Sequence, residues 1–270
     1  MEIAFNRILV GFDNSQSARI ALEKAVDAAQ RFNSKVYAIY VNKSRDKIAK
    51  VREAVRSIGE SRKIEIDFIE KQGKVYKEIN IMERELGIDL IVLGTHGNEG
   101  WQPFWIGSNA YRVVSASNCP VITIQESASV SLLEDIMLPM DDSDETRQKV
   151  PYACALASAF GARVHIYGVS GSKSGPTESR ITAYVRQTAD FMHERGVRTS
   201  EKIELGVKSL PTAVLDYSKE VRAGLVVMMT ETESAGVIMG SYAQHIINNS
   251  VVPVMSIHSR DLRVAGAVGY

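Results

Sequence analysis

The stretch "ILVGFDNSQSARIALEKAVDAAQRFNSKVYAIYV", residues 8–41, decides the fold because the chain contains a second version of it. Shifted by 128 positions, it lies without a gap on "IMLPMDDSDETRQKVPYACALASAFGARVHIYGV", residues 136–169. The far ends match as well, since residues 107–124 lie on residues 240–257 at a slightly larger offset. Duplication of one unit is the simplest account. The identical positions of the first alignment are Ile8, Asp13, Ser15, Arg19, Ala25, Ala29, Phe32, Val36 and Val41.

Each unit reads as alternating strands and helices. "RILVGF", residues 7–12, is a short apolar run typical of a strand buried on both faces. Asp13 or Ser15 can cap the helix that follows, which we expect to end near Asn33. Strands are also predicted in "KVYAIYV", "IEIDFIE", "DLIVLGT" and "PVITI", and helices over 44–60, 74–86 and 107–117.

Five strands alternating with helices favour right-handed crossovers and a mainly parallel sheet with helices on both faces. The sequence therefore predicts an α/β protein with two tandem doubly wound domains, each with strand order 3-2-1-4-5. We assign the domains to residues 1–126 and 133–262. Small polar residues near 125–134 interrupt the pattern between them.

The composition of the chain argues against a nucleic-acid-binding protein and against a membrane protein. Lys plus Arg number 32 and so do Asp plus Glu, which leaves no net positive field for a nucleic-acid partner. No apolar run is long enough for a membrane span or a signal peptide. The two cysteines, Cys119 and Cys154, favour a reducing cytoplasm. The five histidines lack the spacing of a metal site and are expected to be ordinary surface or core residues, apart from His96.

A candidate ligand site lies at the carboxyl ends of the first and fourth strands. In a doubly wound sheet the ligand crevice opens where neighbouring strands send their connections to opposite faces, so Asp13 and Gly94 flank it. Gly94 and Gly97 lack a Cβ, which allows positive φ and close approach of a ligand. Gly107 and Ser108 open the last helix of the unit, whose free amides favour a phosphate.

Asp13 would repel a polyphosphate unless something intervenes. Two arrangements resolve this: its carboxylate accepts hydrogen bonds from ribose hydroxyls, or it helps to hold Mg²⁺ that bridges to phosphate oxygens. A purely structural role as the cap of the first helix is the third reading. Capping and ligand contact are compatible.

Gly94, Gly97, Gly107 and Ser108, with two and then nine residues between the glycines, resemble the ATP-binding signature of the universal stress protein family. The opening strand and helix and "CPVITI" resemble the same family, and the likeness covers nearly the whole chain as a tandem pair. It implies that adenine packs near Val41, ribose and phosphates lie near Asp13, and the triphosphate lies over the glycine signature, with His96 as a phosphate donor or a turn histidine.

Two departures from the family pattern stand out. The loop 98–106 carries no Lys or Arg but has Trp101, Phe104 and Trp105, which could cover the ligand, contact a partner or pack on their own domain.

In the second unit the strand that should end in glycine ends in methionine, and only Gly240 and Ser241 of the signature remain. Acidic residues are expected to crowd that crevice and exclude a nucleotide: Asp141, Asp142, Asp144, Glu231 and Glu233.

The resemblance implies a cytoplasmic stress-response sensor or regulator that binds ATP, with or without Mg²⁺, through its first domain and alters contacts with an unidentified protein partner. The alternative is a nucleotide-independent interaction module that uses the aromatic loop 98–106. Enzymatic activity beyond a slow ATPase is not expected, because no general base is evident. The exposed fifth strands predict an internal pseudo-dimer, while formation of a homodimer is left open.

Overall fold

The computed structural model describes residues 3–42, 47–95, 108–126, 133–230 and 240–259. In the first half the elements are β1 (Arg7–Gly11), α1 (Gln16–Phe32), β2 (Lys35–Asn42), α2 (Ile48–Arg62), β3 (Ile66–Gln72), α3 (Val75–Leu86), β4 (Leu90–Gly94), α4 (Ser108–Ala116) and β5 (Val121–Ile124). In the second half they are β6 (Asp135–Met140), a 3₁₀ turn (Asp144–Lys149), α5 (Val150–Phe160), β7 (Arg163–Ser170), α6 (Gly175–His193), β8 (Arg198–Leu205), α7 (Leu210–Glu220), β9 (Leu225–Met229), α8 (Ser241–Asn249) and β10 (Val254–Ile257).

The ten strands form one continuous sheet in the order β3-β2-β1-β4-β5-β10-β9-β6-β7-β8. Within each half all neighbouring strands are parallel. The order of the first half is the predicted 3-2-1-4-5, and the second half repeats it from β6 to β10. The predicted α/β fold class is therefore confirmed.

The two halves meet where β5 pairs with β10 in antiparallel register, Thr123 opposite Val254 and Ile122 opposite Met255. Because each strand would be an edge in an isolated half, this pairing satisfies backbone groups that would otherwise face solvent. The side-chain amide of Gln125 adds hydrogen bonds to the backbone oxygens of Ile247, at 2.7 Å, and Asn248, at 2.8 Å. The sheet thus covers both of these edges within one chain.

Apolar side chains on the two faces of the sheet form two cores. In β1, Ile8 and Val10 pack with α1, whereas Leu9 points to the opposite face and packs with residues of α3 and α4. The second half repeats this division, with α5 and α6 on the first face and α7 and α8 on the other. Helices consequently cover both faces of the sheet, as predicted.

Local signals set the ends of several elements. Ser15 is the cap of α1, because its Oγ accepts the N–H of Ala18 at 3.3 Å, and Asn33 ends the helix with φ of 55°. β3 begins at Ile66, two residues later than predicted, because Lys63 takes a left-handed conformation and Ile64 still donates its N–H to the oxygen of Gly59. No helix in the described ranges has both the length and the apolar character needed to cross a membrane.

Candidate functional site

The first crevice lies between the carboxyl ends of β1 and β4, which are neighbours with Gly11 opposite Leu93. The helix after β1 packs on one face of the sheet and α4, which follows β4, packs on the other. The strand connections therefore diverge at this point, as a ligand crevice of a doubly wound sheet requires.

Asp13 is exposed at the mouth of this crevice, and its Oδ1 accepts the N–H of Ser15 at 2.9 Å. This contact forms a tight turn that leads into α1, so the cap of the helix is Ser15 and Asp13 supports it. The pKa of Tyr40, near the end of β2, is raised by burial and further by the negative charge of Asp13. Asp13 thus acts electrostatically on the end of the strand that carries Val41, the predicted adenine contact.

Asn14 connects Asp13 to the helix cap in a left-handed backbone conformation with φ of 67°, which asparagine tolerates. Its side-chain Oδ1 is buried and has no hydrogen-bond partner among the described residues. A buried oxygen of this kind costs free energy unless a donor reaches it. The turn that leads into α1 therefore contains an oxygen that can still accept a hydrogen bond.

Glycine is required at position 94 by a contact with a distant part of the chain, which the local sequence does not indicate. Gly94 ends β4 in an extended conformation opposite Ile124, and its φ is not positive. A Cβ at this position would lie 2.6 Å from the backbone carbon of Ser17 and 2.7 Å from the backbone nitrogen of Ala18. Glycine is needed here because the first turn of α1 lies directly against the end of β4.

The remaining predicted site residues are only partly described. Val41, in β2, is partly buried against the core on the α3 face, and Ser108 is the first residue of α4. The structure brings Asp13 and Gly94 to adjacent strand ends. His96, Gly97, Gly107 and the loop 98–106 lie outside the described residues.

The equivalent crevice of the second half contains a cavity of about 70 Å³. Met229 is the last residue of β9, and Gly94 is the last residue of β4. The two positions are equivalent because the strands have the same length and the same register with their neighbours. The 3₁₀ turn 144–149 stands where α1 has its first turns. The cavity is lined by Pro139, Met140, Asp141, Lys149, Val169, Leu210, Met228, Met229 and Tyr242.

Lys149 is the functional candidate that the sequence reasoning missed. Lys149 is 2% exposed. Its Nζ donates hydrogen bonds to the backbone oxygen of Thr146 at 2.7 Å and to the Oγ1 of Thr146 at 2.8 Å. Burial lowers the pKa of Lys149 to about 8, and the charge of Asp141 opposes this shift. In the alignment of the two halves, shifted by 128 positions, Lys149 corresponds to Ala21, which is fully buried. This correspondence is the sequence signal that could have indicated that Lys149 is buried.

The acidic residues of the second half differ from the expectation. Asp141 lines the cavity, but Asp142 accepts a hydrogen bond from Thr177 Oγ1 at 3.0 Å and Asp144 accepts one from Tyr184 OH at 2.8 Å. Both partners belong to α6, so these two carboxylates anchor that helix and do not crowd the crevice. Glu231 and Glu233 lie outside the described residues.

A third polar arrangement lies near the amino ends of the strands, away from both crevices. His165 Nε2 lies 2.7 Å from Asp135 Oδ1, and Ser200 Oγ lies 2.7 Å from His165 Nδ1. The hydroxyl donates to Nδ1 when the other ring nitrogen donates its proton to the carboxylate. This chain links β6, β7 and β8 and satisfies a largely buried imidazole, in agreement with the expectation of an ordinary core histidine.

Side chains that could ligate a metal ion are dispersed in the described ranges. Their His, Cys, Asp and Glu side chains do not gather in any group of three or more that could hold a metal ion. Asp13 stands alone among them as the predicted Mg²⁺ ligand.

Comparison with known proteins places the chain in a family. The sequence pattern of the Universal stress protein family matches residues 4–52, 44–125 and 133–258. A universal stress protein of Methanocaldococcus jannaschii is 26% identical over 148 residues, which cover 46% of this chain and 85% of that protein.

Solved structures agree on the fold. The crystal structure of a universal stress protein from Archaeoglobus fulgidus superposes with a TM-score of 0.76 at 21% identity, covering 96% of this chain and 98% of that one. A universal stress protein solved in complex with cAMP matches 46% of this chain and 99% of that one, at 20% identity and a TM-score of 0.41. Since the family pattern matches both halves, the chain belongs to the universal stress protein family.

Proposed function

We propose that the first half of the chain binds ATP, with or without Mg²⁺, and that the protein is a stress-response sensor or regulator. In this proposal the nucleotide lies in the crevice between the ends of β1 and β4. Its occupancy changes the contacts that the protein makes with a protein partner. The free cysteines Cys119 and Cys154 suit a reducing compartment, and we propose the cytoplasm.

The proposal rests on a difference between the ends of β4 and β9, which are equivalent strands of the two halves. Gly94 lets the first turn of α1 lie against β4, so no side chain projects from this strand end into the crevice. In the second half Met229 and Lys149 line the equivalent space. Glycine at one strand end and methionine at the other fit a first crevice with room for a nucleotide and a second crevice reduced to a small cavity.

The buried Oδ1 of Asn14 is a second support. It lacks a partner among the described residues, and it lies beside Asp13 in the turn that leads into α1. Ribose hydroxyls donate hydrogen bonds, so a sugar at this turn would satisfy the oxygen and Asp13 together. The phosphates would then extend toward the first amides of α4, where the helix dipole favours negative charge by about 0.3–1 kcal/mol.

The second half is not expected to bind a nucleotide. Pockets for ligands of this class typically measure about 300–1,000 Å³, whereas the cavity there is about 70 Å³. Asp141 also lines the cavity and would repel phosphate. A single nucleotide per chain is therefore the expected stoichiometry.

Titration of the full chain with a fluorescent ATP analogue, with and without Mg²⁺, tests the proposal. Ser108→Ala removes a hydroxyl at the start of α4, and Ser241→Ala removes the equivalent hydroxyl at the start of α8. We expect saturable binding of one analogue per chain, weakened several-fold by Ser108→Ala and unchanged by Ser241→Ala. Absence of saturable binding below millimolar concentration would reject the nucleotide and favour an interaction module built on the loop 98–106.

Asp13→Asn separates the two roles given to this carboxylate. If Asp13 holds Mg²⁺, the variant binds the analogue equally well with and without the metal, because the amide is a poor ligand for it. If Asp13 accepts hydrogen bonds from ribose, the variant binds more weakly in both conditions. Phosphate release in the same samples, compared with the Gly107→Val, Ser108→Ala double variant, would reveal a slow ATPase.

A further inference from the structure

The second crevice has lost the glycine of the first but has gained a buried amine. Lys149 replaces the buried Ala21 of the first half, and its side chain reaches a cavity whose walls are mostly apolar. A buried ammonium is costly unless it is paired with a carboxylate. Here Nζ is held by two oxygens of Thr146, a backbone carbonyl and a hydroxyl, both uncharged.

Three residues with polar side chains line the same small space: Lys149, Asp141 and Tyr242. Oδ1 of Asp141 accepts hydrogen bonds from the N–H and the Oγ of Ser143, which leaves Oδ2 as its proton acceptor. Burial raises the pKa of Tyr242, and the charge of Asp141 raises it further, so the phenol stays protonated and can donate a hydrogen bond. Of the charged groups in the described ranges, Asp141 is the one that acts on Lys149. The cavity therefore offers a nucleophile, a proton acceptor and a hydrogen-bond donor together.

We propose that this cavity admits a small neutral aldehyde or ketone and that Lys149 Nζ forms a Schiff base with it. A space of about 70 Å³ holds a few water-sized groups, which suits a carbonyl compound of a few heavy atoms. A phosphate or carboxylate fits less well, because Asp141 faces the same space and would repel a second negative charge. A neutral carbonyl meets no such repulsion.

The step balances without an oxidant or a reductant. The lone pair of the neutral Nζ attacks the carbonyl carbon, and the π electrons of the C=O bond move to oxygen, which accepts a hydrogen bond from the phenol of Tyr242. One amine proton passes through Asp141 to this oxygen and gives the carbinolamine. The second amine proton follows the same route as the C–O bond breaks, so the hydroxyl leaves as water and Asp141 and Tyr242 return to their starting states. A C=N bond replaces the C=O bond, and one water molecule leaves. Desolvated lysines in apolar pockets are established nucleophiles for this chemistry.

The test is reductive trapping on the full chain. The protein is treated with propanal and sodium cyanoborohydride between pH 6 and 9.5, digested, and analysed by mass spectrometry for modification at each lysine. Lys208, which is exposed, is the internal reference. At pH 7.5 a lysine with a pKa of about 8 has a neutral fraction roughly two hundred times that of an ordinary lysine. Since a less basic amine is also less nucleophilic, we expect Lys149 to react at least about tenfold faster than Lys208.

Two variants and one control connect the result to the cavity. Leu210→Trp adds bulk at a wall of the cavity and leaves Lys149 in place, and we expect it to abolish fast labelling of Lys149 while Lys208 labels as before. Asp141→Asn removes the proton acceptor and also a charge that raises the pKa of Lys149, so this variant is compared at pH 9.5, where the amine is mostly neutral in both proteins, and is expected to slow Lys149 several-fold. In urea Lys149 should react like Lys208, since its environment is lost. If Lys149 in the folded chain reacts no faster than Lys208, or if Leu210→Trp leaves its labelling unchanged, the proposal is wrong.

This outcome is independent of nucleotide binding in the first half. Ser108→Ala, which tests the nucleotide, is expected to leave the labelling of Lys149 unchanged. Lys149→Met, which removes the amine, is expected to leave titration with the ATP analogue unchanged. Either proposal can therefore fail without the other.

Discussion

A Cβ on Gly94 would lie 2.6 Å from the backbone carbon of Ser17, so the end of β4 and the first turn of α1 are in direct backbone contact. These residues are far apart in sequence and meet only because β1 and β4 are neighbours in the sheet. The contact fixes the amino end of α1 beside the crevice. It also explains why the second half, with Met229 at the corresponding strand end, has a 3₁₀ turn in place of the first turns of the helix.

Gly94→Ala should destabilise the protein by about 1–3 kcal/mol, because the added methyl group meets backbone atoms that have little freedom to move. Chemical denaturation followed by circular dichroism measures the change in the free energy of unfolding. Gly175→Ala is the matched control, since a Cβ at Gly175 meets nothing within 4 Å. We expect this control to be neutral or slightly stabilising; equal effects of the two substitutions would contradict the steric explanation.

Glu83→Ala should lower the free energy of unfolding by about 2–4 kcal/mol, since it leaves two buried amides without an acceptor. Glu83 is 4% exposed, and its Oε1 accepts the N–H groups of Asn118 at 2.6 Å and Cys119 at 3.0 Å. Glu83→Gln retains an oxygen for these amides and should cost less. The exposed Glu85 on the same helix is the control, and Glu85→Ala should change stability by no more than about 0.5 kcal/mol.

The amount by which buried Lys149 lowers the free energy of unfolding should depend on pH. The unfolded chain keeps this proton up to about pH 10.5, whereas the folded chain releases it near pH 8, so raising the pH through this window favours folding. Below pH 8 both states are protonated and the full cost of burying the charge is present. Denaturation of wild type and Lys149→Met between pH 6 and 10.5 should show the variant's relative stability falling as the pH rises. Tyr242 is present in both proteins, so its titration cancels; a pH-independent difference would show that the amine is not desolvated.

Ser200→Ala should destabilise the second half by about 1 kcal/mol, because Nδ1 of the largely buried His165 loses its hydrogen-bond donor. Ser200→Thr keeps the hydroxyl and should recover most of the loss. Nitrogen NMR of His165 is the second measurement, since the hydroxyl bond favours the tautomer with the proton on Nε2. A mixture of tautomers in the wild-type protein would argue against the chain to Asp135.

Much of the fold could be predicted from sequence, because local patterns determine most of its elements. The alternation of apolar strands with helices, and the repeat itself, indicated the sheet order of both halves. Asn33 ends α1 as predicted, since asparagine tolerates the left-handed conformation that this position adopts. The start of β3 was placed two residues early because apolar alternation begins at Ile64, before the turn that Lys63 makes.

The sites were less accessible to sequence reasoning because they depend on contacts between distant residues. Gly94 was interpreted as allowing positive φ in the turn and close approach of a ligand, whereas the steric constraint in the structure comes from Ser17 in another element. Lys149 gave no local sign of burial, since charged residues on a helix usually face solvent. Asp142 and Asp144 were assigned to the crevice from their position in sequence, yet their side chains bond to α6, whose location depends on the tertiary fold.

The antiparallel pairing of β5 with β10 has an evolutionary consequence. In a pair of identical chains, every substitution appears twice, and neither site can change without the other. Joining both partners in one polypeptide removes that restriction and makes their association independent of protein concentration. Gly94 and Met229 show the resulting freedom, because each occupies the same strand end in its own half and each can be selected for different chemistry.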